Sequence, residues 1–373
     1  MKIAVIQPTF NTTTIGWTQG AMELGHQLIH FIPKHSKNDP VGGVIGHFGI
    51  TEDNVHILPS KTLPRGLLKL IPINKIGRRL AWVSPFQIRR ALLQRQIDSV
   101  LIKRDGSLRS LIFSLTAFAI GLPRYSWFGV APEVVTKRSQ FLSYLGIFPQ
   151  RYFCANAGLR PHKTCVISYG PPKWPDHGSK DSRIEQKRSN LTSVLVVESF
   201  KNVNRKRPWE ALAAYARVQQ AKPCHWSFAG VGNDKSPGLL KLQSVIKSLN
   251  LESFTDIKLS APYSEMWRLY DNCDVLVLTS KREPFGMCVL EAMARGLAVI
   301  VPDDAGVSGN VTHGIDGYVY PAGDFDTLAA YLATMSHNPT LLANMQVAAL
   351  KSVRDKFSYK IGAEKLMAWL DSE

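Results

Sequence analysis

Short apolar runs and helical patterns take turns along almost the whole chain. KIAVIQ is followed by GWTQGAMELG and SVLIK by SLRSLIFSLTAFAIG; later come CVISY, VLVVESF, HWSFAGVG, DVLVLTS, LAVIVP and GYVYP. A strand that is apolar at successive positions must be covered on both faces, and strands joined through helices run parallel. The rhythm therefore predicts an α/β fold on parallel sheets. A chain of 373 residues with 45% hydrophobic content is long for one such sheet and comfortable for two, each with its own core. The pattern breaks in PPKWPDHGSKDSRIEQKRSN, from Pro171 to Asn190, which is rich in proline and charge and nearly free of aliphatic side chains. Such a stretch suits a connection. We expect a first domain over residues 1–173, a linker over 174–190 and a second domain over 191–373. These make two doubly wound, Rossmann-like lobes facing across a cleft, with ligands gathered at the carboxyl ends of the strands. The last helix is a candidate to cross back to the first lobe.

The formal charge of +16 implies an anionic partner, and it is unevenly placed. Residues 1–173 hold 22 Lys and Arg against 7 Asp and Glu, whereas residues 174–373 hold 23 against 22. The most basic stretch, KTLPRGLLKLIPINKIGRRLAWVSPFQIRRALLQRQ from Lys61 to Gln96, has nine cations, no acid, and interleaved Leu, Ile, Trp82 and Phe86. That composition fits an anionic membrane surface or an anionic acceptor, with Arg78, Arg79, Trp82, Arg89 and Arg90 as the candidate contacts. The plainer alternative is a solvated helix packed on its lobe. Lys103, Arg104, Asp105 and Arg109 either face an acceptor or decorate a loop. The longest apolar run, Leu111 to Leu122, is too short to span a bilayer, and MKIAVIQP enters a β-like run with no signal-peptide pattern. Cys154, Cys165, Cys224, Cys273 and Cys288 show no CxxC or metal-ligand spacing and read as buried, unpaired thiols. The expectation is a cytoplasmic protein, soluble or peripheral on the membrane.

EPFGMCVLEAMARG, from Glu283 to Gly296, sets two carboxylates around a glycine. The preceding DVLVLTS reads as a buried strand and the following MCVLEAMARG as a helix closing on Gly296. Glu283 then lies in the loop above the strand end. Gly286 opens the helix where free N–H groups and the dipole favour an anion such as phosphate. Glu291 falls about a turn and a half inside, where a carboxylate can accept two hydroxyls of a vicinal diol such as a ribose. Taken alone, the pair reads more readily as an acid complementing the helix dipole and a solvated helix face.

The surroundings are more specific. EPFGMCVLEAMARGLAVIV closely resembles the family 4 retaining glycosyltransferases of the GT-B fold, with their Glu, seven residues, Glu, an FG after the first acid and an EAMA-type helix. The resemblance continues through GVSGNVTHGIDGYVYPAGD and HNPTLLANM to FSYKIGAEKL and covers about Thr192 to Glu373. KRPWEALAAYARV, from Lys206, resembles the family's lysine followed by a helix, in which the lysine meets the donor diphosphate as charge builds on the leaving group. The resemblance implies catalytic roles for Lys206 and Glu283. It implies donor binding by Gly16, Arg205, Lys206, Gly230, Gly232, Glu283, Pro284, Phe285, Gly286, Met287, Cys288 and Glu291. It implies a nucleotide-sugar co-substrate, with a UDP-sugar favoured, and no metal or other cofactor. Together with the basic first lobe, this makes the expected acceptor a lipid-linked saccharide or surface-glycan precursor at the cytoplasmic membrane face.

The chain departs from the family at four places. The arginine about five residues before the lysine is missing, with Ser199 and Lys201 nearest. Ser308 and Gly309 stand where Pro-Glu is common, which bears on sugar selection. FNTTTIGW offers only Gly16, in a threonine-rich turn, for the glycine loop after the first strand. YSWFGVAP has Phe128 and Gly129 and no histidine. No catalytic base is assigned, since retention by front-face attack lets the departing phosphate take the acceptor proton. Rival readings are a nucleic-acid or small-molecule acceptor, a nucleotide-sugar epimerase, and a non-catalytic GT-B binding protein.

Overall fold

The structure, a computed structural model, describes residues 1–6, 14–33, 48–59, 61–62, 81–103, 108–128, 152–154, 167–174, 191–201, 204–218 and 222–372. They form two compact units: Met1–Asn156 with Arg160–Lys173 and Tyr359–Glu373, and Trp174–Ser358 with Ala157–Leu159.

The first unit runs β1 (Lys2–Ile6), α1 (Ile15–Glu23), β2 (Gln27–Pro33), β3 (Val55–Leu58), the short antiparallel pair β4 (Lys61–Thr62) and β5 (Ala81–Trp82), α2 (Pro85–Gln94), β6 (Ser99–Lys103), α3 (Leu108–Ala119), β7 (Arg124–Phe128) and β8 (Tyr152–Cys154). Its sheet has the order β3-β2-β1-β6-β7-β8, every pair parallel, with Ile3 between Leu28 and Ser99. The central strand explains the fold: Ile3, Ala4, Val5 and Ile6 are all buried, so the strand needs cover on both faces. Ala4 and Ile6 pack with Ile88 and Leu92 of α2 and Phe113 and Ala117 of α3. Trp17 of α1 packs on Tyr169 at 4.7 Å, Phe153 at 5.6 Å and Trp127 at 6.1 Å between ring centroids. Gly16 is not in a connecting turn but in the first turn of α1. The reason is the helical spacing of Ile15, Thr18 and Ala21, all buried.

The second unit runs β9 (Thr192–Ser199), α4 (Pro208–Ala216), β10 (Cys224–Val231), α5 (Pro237–Ser248), β11 (Thr255–Leu259), α6 (Met266–Asp271), β12 (Val275–Val277), α7 (Met287–Ala294), β13 (Ala298–Pro302), β14 (Gly317–Tyr320), α8 (Phe325–His337) and α9 (Pro339–Ser352). Its order, β11-β10-β9-β12-β13-β14, repeats that of the first sheet and is again parallel throughout. β13 is buried at every position, whereas the edge strand β11 alternates, as one covered face requires. In each sheet the order reverses between two neighbouring strands, β1 and β6 or β9 and β12, which is where a doubly wound sheet opens a crevice.

A last helix, α10 (Tyr359–Asp371), belongs to the first unit. It packs on α1 so closely that a Cβ on Gly20 would lie 2.5 Å from the Ala363 Cβ and 2.6 Å from the Tyr359 carbonyl oxygen. Trp369 meets Phe153 at 5.0 Å and Tyr125 at 5.5 Å, and the Tyr359 hydroxyl donates to Glu23 at 2.8 Å. Among the described residues, no helix is long and apolar enough to cross a membrane.

Candidate active site

Glu198 stands near the end of β9, and Thr279 and Ser280 follow β12, so all three lie at the point where the strand order reverses. Lys206, two residues before α4, joins them. Its Nζ donates to Ser280 Oγ and Glu283 Oε2, each at 2.7 Å, and lies 2.7 Å from Glu198 Oε2. Three partners match the three N–H bonds of an ammonium. Glu198 Oε1 also accepts from Thr279 Oγ1 at 3.1 Å and Ser280 Oγ at 3.0 Å. Burial opposes the charge on Lys206, but the carboxylates of Glu198 and Glu283 outweigh it and hold the pKa above the usual lysine value. Arg205 Nη1 lies 3.5 Å from Glu283 Oε2, and its backbone carbonyl accepts from the Lys281 N–H at 2.9 Å, tying the two loops together.

The loop into α7 takes its shape from Gly286, the N-cap, whose φ of 98° is left-handed and natural for glycine. A Cβ there would also meet Val307 Cγ1 at 3.1 Å. The Glu283 carbonyl accepts from the Gly306 N–H at 2.9 Å, and Phe285 is buried beneath the turn. Pro284 precedes it; Met287 and Cys288 open α7, whose first N–H groups have no acceptor within the helix. Burial pushes the Cys288 thiol up.

Glu291 is 3% exposed, so it is no solvated helix face. Tyr263 and Tyr270 donate to its two oxygens, each at 2.6 Å. Burial pushes its carboxyl up while the two hydroxyls draw it partly back, and burial and the Glu291 charge push Tyr270 far up. Each carboxylate oxygen keeps a further lone pair for a hydroxyl donor. Trp174 stacks obliquely on Tyr263 at 5.2 Å.

The structure gives the other glycines packing reasons. Gly230 pairs with Glu198 across the sheet, and a Cβ there would come within 1.7 Å of the Glu198 carbonyl oxygen. Gly232 is crowded by Phe200 and Ser236, and Gly16, in the first unit, by the Gly170 carbonyl oxygen at 2.4 Å. Arg89 and Arg90 are exposed on α2, Trp82 ends β5, and Arg78 and Arg79 lie outside the described residues. Arg104, Asp105, Gly129 and Cys165 also lie outside them. Cys224 and Cys273 are buried and unbridged. Ser308 turns its hydroxyl to the Asp303 carbonyl at 3.1 Å.

Glu198, Thr279, Ser280, Tyr263 and Tyr270 were not singled out from the sequence. One signal was present: an acid in the otherwise apolar run VLVVESF, which a doubly covered strand accepts only with partners.

Solved structures share the fold over the whole chain. A glycosyltransferase from Rickettsia africae ESF-5 matches with a TM-score of 0.73 at 14% identity, over 100% of this chain and 99% of that one. Anabaena Alr3699/HepE, solved in complex with UDP, matches at 0.70 and 16%, over 100% of both. The fold is GT-B, with two Rossmann-like domains. Residues 179–352, which contain Glu198, Lys206, Glu283 and Glu291, match the family described as Glycosyl transferases group 1. The amylovoran biosynthesis glycosyltransferase AmsK of Erwinia amylovora is 27% identical over 137 residues, 35% of this chain and 34% of the relative. The match thus spans about a third of that relative's length.

Proposed function

We propose that the protein is a retaining glycosyltransferase that moves a sugar from a nucleotide-sugar donor to a glycan hydroxyl. The observation that carries this reading is Lys206, held at the strand-order reversal beside Glu283 and the start of α7. An ammonium, Arg205 and the N-terminus of α7 together supply a positive field for a leaving diphosphate, so the reaction as proposed calls for no metal. Glu291 offers its remaining lone pairs to the ribose, and Glu283 faces the transferred sugar. A UDP-sugar is the favoured donor; the Anabaena neighbour was solved with UDP. The departing phosphate takes the acceptor proton.

The acceptor in this reading is a lipid-linked saccharide or surface-glycan precursor, met at the cytoplasmic face of an anionic membrane. On α2, Phe86 (84% exposed), Arg89, Arg90 and Leu93 follow one another at helical spacing on the exposed side. α3 packs beside α2 and exposes Leu115 and Phe118, the latter 64%. Apolar side chains among arginines suit an acidic bilayer surface.

Thermal shift with UDP-, GDP- and ADP-sugars tests the donor. One of them should raise Tm by mass action and should be hydrolysed slowly without an acceptor. No shift and no hydrolysis with any of the three would sink the transferase reading.

A further inference from the structure

Glu198 is a buried carboxylate that the proposed reaction does not use, and any role for it at the donor diphosphate rests on the transferase reading of this site. Its side chain is 1% exposed, against 15% for Glu283. Thr279, Ser280 and Lys206 fix it from three sides. Glu283 sits on the loop before α7, and its second cation, Arg205, is 3.5 Å away. Two cations and two carboxylates therefore cancel, and the N–H bonds of Lys206 are occupied by Glu198, Ser280 and Glu283.

A diphosphate can take a hydrogen bond from Lys206 only by displacing one of these partners. Glu283, the more exposed and less tethered acid, is the one that yields, whereas Glu198 is locked by the two hydroxyls that follow β12. A fixed negative charge then remains 2.7 Å from the ammonium, beside a ligand that is itself an anion. We propose that Glu198 tunes donor binding through Lys206: it leaves Glu283 as the exchangeable partner and weakens the hold on the nucleoside diphosphate product so that it departs.

Calorimetric titration of the full chain with UDP, GDP and ADP identifies the nucleotide that binds. The same nucleotide is then titrated into Glu198→Gln, which keeps the shape and loses the charge, and Glu198→Asp, which keeps the charge and withdraws it from Lys206. Affinity should rise about ten-fold in the Gln variant and about two- to three-fold in the Asp variant, as expected for easing one charge-assisted contact. Donor KM should fall in parallel, with no rise in kcat because product leaves more slowly. A purely structural role would lower Tm and weaken binding in both. Either variant alone decides: affinity equal to or below that of the unsubstituted protein overturns the inference and leaves the transferase reading standing. If the unsubstituted protein binds none of the three nucleotides, that reading falls and the inference with it.

Discussion

Glu291 holds a carboxylate where water scarcely reaches. Burial raises its folded-state pKa from the ordinary carboxylate value, partly offset by the two tyrosine hydroxyls, so folding disfavours the charged form. The associated stability is present below the unfolded pKa and is lost as pH rises through the folded pKa. Glu291→Gln, neutral at every pH, should therefore melt above the unsubstituted protein at pH 7, and the gap should close toward pH 4. Nucleotide affinity should fall, because a ribose loses a charged acceptor, by roughly 1.5 to 3 kcal/mol. Differential scanning at several pH values reads the first effect and titration the second; a melting difference independent of pH would refute the burial argument. Glu283 and Glu291 were legible because both lie in one short motif. Glu198 was not, since the hydroxyls that hold it come from 81 and 82 residues further on. Tyr263 and Tyr270 reach Glu291 from a different helical segment, and no local spacing announces such a contact.

At the scale of elements, α7 depends on the turn that starts it. Gly286→Ala imposes a left-handed conformation on a residue with a Cβ, at about 1–2 kcal/mol, and Val307 must shift from 3.1 Å. Urea unfolding should show a lower midpoint with an unchanged slope, and donor affinity should drop with the displaced N–H groups. An unchanged midpoint would mean that the loop adapts freely. The helix was readable from its apolar spacing and flanking glycines. α1 was less so, because threonines before a helix look like a turn until Ile15, Thr18 and Ala21 find a buried face. The exposed side of α2 makes a separate prediction. Replacing Phe86 with Ser and Arg89 and Arg90 with Gln should leave Tm nearly unchanged, since all three side chains are exposed. Sedimentation with acidic vesicles should weaken by about 1 kcal/mol per arginine, and binding by the unsubstituted protein should decline with salt as the screening length shortens. Vesicle binding that ignores both changes would remove this face from the membrane reading.

Across the whole molecule, the alternation of apolar runs foretold two parallel sheets, because strands such as KIAVI and AVIVP are buried on both sides. The partner of α10 was harder to read. Its contacts with α1 join residues more than three hundred positions apart, as in the bond from Tyr359 to Glu23, and an amphipathic helix does not name the sheet it covers. That return sets an order of assembly during synthesis. A ribosome makes β1 and α1 first, yet the surface that receives Leu366, Met367 and Trp369 stays uncovered until residues 359–371 have emerged, after the whole of residues 174–358. The unit begun first is thus completed last. Chains stalled with residue 358 just outside the ribosome should resist protease over residues 191–358 and be cut near α1, and extending them through residue 372 should protect both. Equal protection of α1 at the two lengths would show that the first sheet closes without its last helix.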